Sequence, residues 1–323
     1  MIWLIGDKGM LAGEIASLLT ANKIDFFGSD MEIDIGNIDM LKTFAASHDR
    51  NACLTGATAC KGKVTEKISW VINCGAYTDA QKAETSEDEE IICNRTNSTG
   101  ALNVARLTRQ IGAKLIHIST SAVFDGKNPE PYDEEAVKNP LSKYGASKAQ
   151  GDFLVEKEIT RYYIIRLPLL YANKNSSFLT KMIKAMNSKS EIKVPQDVIC
   201  APTYAQDVAK LILKIIETSD KAHSLFGKKS AIPYGVYNYS ASGSVSLSDF
   251  AQKVYKLGRQ HGIIKNECSV LSSPQLLLEN NVKFPACGLL NTEKISSAVK
   301  IKIPHWEESL EKFIKHYSQS SLK

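Results

Sequence analysis

Short apolar runs alternate with amphipathic helical patterns through the first half of this chain, and no other feature constrains its fold as tightly. Met1–Ile5 is apolar but too short for a helix. It runs into Gly6-Asp7-Lys8-Gly9 and then a stretch with Leu11, Ile15, Leu18 and Leu19 on one helical face. Ile24–Gly28 reads as a second strand and Ile38–Ala46 as a helix. Trp70–Cys74, Lys114–Ser119 and Tyr162–Leu167 are further strands, with helices around Arg95–Gln110 and Tyr144–Glu158 between them. Strands alternating with helices imply βαβ units and a parallel sheet, whose strands are apolar on both sides because helices cover both faces.

Two segments break the rhythm. His48 to Lys67 holds Gly56, Gly62, two cysteines and scattered lysines without a clear period, and reads as an inserted surface loop. The acidic run from Glu84 to Glu90 reads as a helix start, because Ser86 with Glu89 three residues on fits a capping box and carboxylates favour the positive end of a helix. After about residue 171 the pattern changes. Helical stretches at Phe178–Met186, Val208–Thr218, Leu247–Leu257 and Trp306–Tyr317 are separated by Pro-, Ser- and Gly-containing segments and short strands such as Gly235–Ser240. This predicts residues 1–170 as one domain and 171–323 as a smaller α/β lobe, in keeping with a length of 323 residues at roughly 150 per domain.

Composition closes off several classes. A 43% hydrophobic fraction is that of an ordinary globular protein, and a net charge of +5 without a polybasic block does not suggest nucleic acid as partner. No apolar run approaches the ~18 residues that span a bilayer, and the first one is too short for a signal peptide. The seven cysteines form no C-x-x-C pair, so neither a zinc site nor a disulfide framework is expected, Cys53 and Cys60 included. Reduced thiols and a cytoplasmic location follow as expectations.

Three motifs carry chemistry. Gly6-Asp7-Lys8-Gly9-Met10-Leu11-Ala12 is a G-x-x-G-x-x-A turn between the first strand and the first helix. Glycines there allow the backbone to approach a pyrophosphate at the helix N-terminus. Tyr144 and Lys148, four residues apart, share one helix face soon after a strand that ends in Ser119-Thr120-Ser121. An ammonium near a phenol favours the phenolate and lowers its pKa, and such a tyrosine exchanges a proton with an alcohol or ketone while hydride moves on a nicotinamide. Asn73-Cys74-Gly75-Ala76-Tyr77-Thr78 closes a parallel strand at the edge where ligands of open α/β sheets bind.

With these residues in place the chain resembles an extended short-chain dehydrogenase/reductase, and more narrowly the dTDP-4-dehydrorhamnose reductase family over essentially its whole length. The landmarks are the glycine turn with Met10-Leu11, Asp34-Ile35, Ala76-Tyr77-Thr78 with Lys82-Ala83-Glu84, Asn97 and Asn103. His117-Ile118-Ser119-Thr120, Val123-Phe124-Asp125-Gly126, Asn139-Pro140 and Tyr144 to Lys148 with Gly151 continue the series. Pro202-Thr203-Tyr204, Asp207 and the ending Ile303-Pro304-His305-Trp306-Glu307-Glu308 complete it. The resemblance implies a Rossmann-type doubly wound parallel sheet with a second, smaller α/β substrate lobe. It implies an NADPH- or NADH-dependent reductase of a keto-sugar, a nucleotide-linked 4-keto-6-deoxy sugar in cell-surface polysaccharide synthesis. Thr120, Tyr144 and Lys148 would be the catalytic trio. Gly6, Gly9, Met10 and Leu11 would line the pyrophosphate, with Lys8 either helping there or simply solvated. Asp34 and Ile35 would lie on the adenine side, and Cys74, Gly75 and Ala76 along the central cofactor. Asn97 would support the neighbouring strand and Pro168 would back the nicotinamide. The expected partner is a small-molecule nucleotide sugar, with a monomer or homodimer as assembly and no nucleic acid or membrane.

The substrate side departs from the family pattern. The Asp-Tyr that usually follows the catalytic Thr is Ser121-Ala122 here, the substrate-loop Asp-Gln-x-Gly is Asp197-Val198-Ile199-Cys200, and the Arg-Pro of the second lobe is Phe284-Pro285. A phenyl ring cannot replace a bidentate guanidinium on a pyrophosphate. These changes leave an epimerase or dehydratase on the same scaffold, or a non-catalytic cofactor-binding regulatory subunit, as alternatives. Cofactor choice is open too: an acid at the end of the second strand would bond a ribose 2′-hydroxyl, and the register allows Ser29 or Asp30 there.

Overall fold

The structure is a computed structural model, and it describes residues 1–48, 67–222, 232–274 and 285–321. The inserted loop expected over 48–67 and both of its cysteines therefore lie almost wholly outside the described residues, as does Phe284. Six strands form one parallel sheet: β1 (Ile2–Ile5), β2 (Phe26–Ser29), β3 (Trp70–Asn73), β4 (Lys114–Thr120), β5 (Tyr162–Leu167) and β10 (Gly235–Asn238), in the order β10-β5-β4-β3-β1-β2. The chain passes from β1 outward to β2 and then crosses to β3 on the other side of β1, so the topology switches at β1 and β3. A ligand crevice opens beyond the carboxyl ends at such a switch.

Every residue of β1 and β3 is buried, which explains their unbroken apolar character. Over one face lie α1 (Met10–Ala21) and α8 (Ala205–Ala222), which pack Leu11, Ile15 and Leu19 against Val208, Ile212 and Ile215. Over the other lie α2 (Ile38–Ala46), α5 (Ala101–Gln110) and α6 (Lys143–Glu158), covering Trp3, Val71 and Leu115 with Leu41, Val104 and Val155. Each such aliphatic side chain contributes about 1.5–3 kcal/mol of burial.

Two elements differ in place from the sequence reading. The strand expected around 235–240 belongs to the main sheet, where Val236 and Tyr237 pair with Ile164 and Ile165 of β5. Its strand mates decide this: β10 closes an edge of β5 that a bare strand would leave exposed to pairing. The helix expected over Arg95–Gln110 starts earlier, at α4 (Glu87–Asn94), and passes through a π-helical turn over Arg95–Gly100 before α5. Ser86 does cap α4, accepting from Glu89 N, and four acidic residues occupy its first turn. The Glu89 carboxylate itself takes the Tyr77 hydroxyl at 2.7 Å.

A second apolar cluster is built from α7 (Phe178–Ser188), α9 (Leu247–Gln260) and α11 (Trp306–Ser321), where Tyr171, Phe250, Trp306 and Phe313 meet. Between it and the sheet, Ile199 and Gly288 pair by backbone, Cys287 N donates to Gly126 O, and Tyr132 bridges to Leu290. No helix among the described residues is long and apolar enough to cross a membrane.

Candidate active site

The glycine turn sits in the crevice at the switch point. Gly6 has φ +75°, a left-handed conformation that favours glycine, and a Cβ there would lie 2.8 Å from Gly75 N. β1 and β3 can thus bring their ends together, with Cys74 N donating to Ile5 O at 3.0 Å. Gly9 precedes α1 and offers no side-chain cap, so the first N–H groups of the helix stay free to meet an anion. Met10 and Leu11 contribute backbone to this cradle while their side chains pack into the core. Lys8 is exposed and lies 3.3 Å from Glu32. A residue that sequence reasoning missed joins the turn from far along the chain: Lys174 Nζ donates to the carbonyls of Lys8 and Gly9.

Beyond β3, Cys74, Gly75 and Ala76 are partly open to solvent and form a floor of small residues. Burial pushes the Cys74 thiol up to about 12, with Lys148 opposing, so this sulfur is a neutral packing group. The Asp34 carboxylate is already engaged: one oxygen accepts from Gly36 N at 2.8 Å and the other pairs with Arg95. Ile35 is buried against Gly75 and Gly100, a core residue beneath the crevice. Pro168, directly after β5, is partly exposed at the same edge of the sheet.

α6 carries Tyr144 and Lys148 to that edge. Its own glycines let it approach closely. A Cβ on Gly145 would strike the Ala122 carbonyl, and one on Gly151 would strike the Asn97 carbonyl. Glycine in a helix interior costs about 1 kcal/mol relative to alanine, so two of them on the Tyr–Lys helix were the available sign of close packing. Asn97, in the π-turn, clamps this packing. Its amide exchanges hydrogen bonds with Tyr77 N and O at 2.9 and 3.0 Å and donates to Ser147 Oγ at 3.0 Å. Ser147, also missed from sequence, donates in turn to Tyr144 O at 2.8 Å.

The Thr120 hydroxyl lies near the Tyr144 phenol and opposes the rise in its pKa. The hydroxyl oxygen accepts from Ala122 N at 3.1 Å, which fixes its rotamer. Lys148, only 2% exposed, donates to Ile118 O at 2.7 Å. The i, i+4 spacing of Tyr144 and Lys148 predicts a phenol pKa lowered by the ammonium. The structure corrects this: burial pushes Tyr144 up to about 12, partly offset by Thr120, and burial lowers the Lys148 pKa while Asp152 supports its charge. The geometry accounts for the difference, since the ammonium is aimed at a β4 carbonyl. Behind it, Asp152 pairs with Arg166 at 3.3 Å with both side chains almost wholly buried, and Arg166 Nη1 donates to Glu134 O. Burial holds the His117 imidazole well below its usual pKa, so it is neutral, with Nδ1 3.1 Å from Asn73 Nδ2.

Beside Ser121, the residue after Thr120, Gly288 and Ile199 come up from the second half of the chain. A Cβ on Gly288 would stand 4.0 Å from Ser121 Oγ and 3.8 Å from Ile199 O. The altered position Ser121 and Ile199, which lies between the altered Val198 and Cys200, therefore share one small region.

A parallel sheet switching at β1 and β3, with a glycine turn at its first βα junction, defines a Rossmann-type nucleotide-binding α/β protein. More particularly, the chain belongs to the RmlD substrate binding domain family, whose model matches residues 1–319. It is 29% identical over 266 residues to a dTDP-4-dehydrorhamnose reductase of Sinorhizobium fredii, covering 79% of this chain and 84% of that one. It is 30% identical over 250 residues to the spore coat polysaccharide biosynthesis protein SpsK of Bacillus subtilis, covering 77% and 80%. Among solved structures, dTDP-4-dehydrorhamnose reductase from Bacillus anthracis in complex with NADP superposes with a TM-score of 0.81 at 28% identity, over 98% of both chains.

Proposed function

We propose that this protein is an NAD(P)H-dependent reductase of a keto-sugar, a nucleotide-linked 4-keto-6-deoxy sugar, serving cell-surface polysaccharide synthesis in the cytoplasm. The observation that carries this reading is the close packing of Gly145 against Ala122 O, which brings Tyr144 of α6 to Thr120 at the end of β4, with Lys148 buried behind them at the same sheet edge as an uncapped glycine turn. The residues present fit the cofactor: the bare α1 N-terminus suits a pyrophosphate, and the Cys74–Ala76 floor has no bulky side chain to obstruct a ring. Residues 1–170 would hold the cofactor, with Lys174 bracing the glycine turn from the other part, and 171–323 would supply the substrate side through Ile199 and Gly288. Free cysteines among the described residues support the cytoplasmic location, and a monomer or homodimer is the proposed assembly.

Bound NAD(P)H supplies a hydride to the carbonyl carbon. Tyr144 gives its proton to the carbonyl oxygen, and a phenol whose pKa is raised keeps that proton throughout the neutral range. Thr120 holds the same oxygen by its hydroxyl, which is already positioned by Ala122 N. Lys148 spends one of its three protons on Ile118 O, leaving two to orient a ribose and to restore the phenol. Asn97 and Ser147 keep α6 in register with the strands and so act as positioning residues.

Purified protein is expected to oxidise NAD(P)H when given dTDP-4-keto-6-deoxy sugars, and Tyr144→Phe to lower kcat by about 10²–10⁴-fold. For reduction, the pH profile of kcat/KM should be level through neutrality and fall only on the alkaline side. A lowered Lys148 pKa means its charge is lost below the usual 10.5, ahead of Tyr144 near 12. A Tyr144→Phe enzyme with undiminished turnover would refute the mechanism.

A further inference from the structure

β2 ends against the glycine turn. The N–H groups of Gly6 and Asp7 both donate to Ser29 O, at 2.6 and 3.2 Å, so the residue that follows β2 is fixed beside the turn. The Ser29 side chain is buried and accepts from Trp3 Nε1 at 2.9 Å, which removes it from any ligand. Asp30 is therefore the residue presented where β2 gives out, and it is partly exposed. Glu32 folds back over it, accepting from Asp30 N at 2.7 Å through one oxygen and meeting Lys8 Nζ at 3.3 Å through the other. The Asp7 carboxylate lies against Gly28, in space that a Cβ on Gly28 would fill. Its Oδ1 is buried and has no hydrogen-bond partner among the described residues. Burial raises the Asp30 pKa, with Asp7 and Glu32 adding to it and Lys8 opposing. Three carboxylates thus surround one ammonium, and Glu32 already answers that ammonium. The cation further along, Arg95, is held by Asp34.

In a Rossmann crevice the adenosine ribose lies beside the residue at the end of the second strand. A carboxylate there accepts from the ribose 2′-hydroxyl, whereas a 2′-phosphate calls for a free cation. A ribose hydroxyl can donate to an acceptor, while a phosphate dianion at neutral pH offers only further acceptors. The orphaned Asp7 oxygen needs a donor. Desolvated like charges also discriminate strongly against the wrong ligand.

We propose that this chain selects NADH over NADPH, with Asp30 receiving the ribose 2′-hydroxyl and Asp7 and Glu32 repelling a 2′-phosphate. The Bacillus anthracis relative has a structure in complex with NADP. The selection of NADH rests on the cofactor site proposed above and refines the specificity of that site.

The test is direct binding to the full-length protein without substrate, by fluorescence titration of NADH and NADPH and calorimetry of NAD⁺ and NADP⁺. NADH should bind at least about tenfold more tightly than NADPH. Asp30→Asn should bring the two within about threefold by weakening NADH and strengthening NADPH, and Glu32→Gln should narrow the gap by strengthening NADPH alone. Because Glu32 is exposed, its variant keeps the test valid should Asp30→Asn fold poorly, which a melting curve reports. NADPH binding as tightly as NADH, or more tightly, overturns the proposal. Binding of neither cofactor overturns the cofactor-site reading beneath it and the proposal with it.

Discussion

The cofactor rim and the substrate rim of the crevice are built by different means. The cofactor rim is made of backbone: Gly6 against Gly75, the bare N-terminus of α1, and the Cys74–Ala76 floor, all within a few residues of two adjacent strand ends. The substrate rim is made by bringing three remote segments together, with Ser121 after β4, Ile199 in β8 (Ile199–Cys200), and Gly288 beyond β12 (Ser269–Ser273). A rim of backbone has little freedom to vary without losing its contacts. A rim of side chains from separate segments can change its occupants one at a time. Among the described residues, Ser121, which departs from the family pattern, falls on the second rim.

The largest effect should come from the point where both rims depend on one buried ion pair. Arg166 of β5 holds Asp152 of α6 from behind Lys148, and by its donation to Glu134 O it also fixes the 132–134 segment that leads to Leu290. Arg166→Met would leave a buried carboxylate uncompensated and should cost about 3–5 kcal/mol, read as a lowered urea midpoint. Adding Asp152→Leu should return much of that loss, since an apolar pair of similar volume avoids the desolvation penalty altogether. A single variant as stable as the parent would show that the two rims are not tied together here.

Next in size is a change confined to the cofactor rim. Gly6→Ala puts a methyl group against the Gly75 and Cys74 backbone at a left-handed φ, where no flexible side chain can give way. A loss of about 1–3 kcal/mol in stability is expected, with at least tenfold weaker NADH binding by fluorescence titration. Unchanged affinity would mean that the Gly6–Gly75 contact does not shape the cradle.

The same contrast sets what could be read from sequence. Strand and helix periods exposed the sheet because β1, β3 and α1 bury continuous or one-sided apolar patterns. The helix over Ile38–Ala46 matches its predicted span, and Asn37 caps it by accepting from Asp39 N and Met40 N. The glycine turn was legible because a short sequence window contains the whole device. The placement of Gly235–Asn238 was not, because strand order in a parallel sheet is set by packing between distant segments, and a four-residue strand has no period that names its neighbour. Lys174 was invisible for the same reason, reaching the turn across 166 residues. The raised pKa of Tyr144 escaped because the i, i+4 spacing implies a shared helix face and says nothing of where the ammonium finds its acceptor.

The smallest expected effect belongs to the substrate rim and separates it most cleanly from the other. Gly288 has room for a Cβ at ordinary contact distance from Ile199 O and Ser121 Oγ, so Gly288→Val should leave stability within about 0.5 kcal/mol. The added methyl groups would stand near Ser121, next to Thr120, on the side proposed for the sugar whose carbonyl meets Tyr144. KM for the keto-sugar should rise about tenfold while the NADH dissociation constant stays unchanged. Measured side by side, the two constants read the two rims independently. If both moved together, Gly288 would be acting through the shared core, and if neither moved, the sugar would be entering by another route.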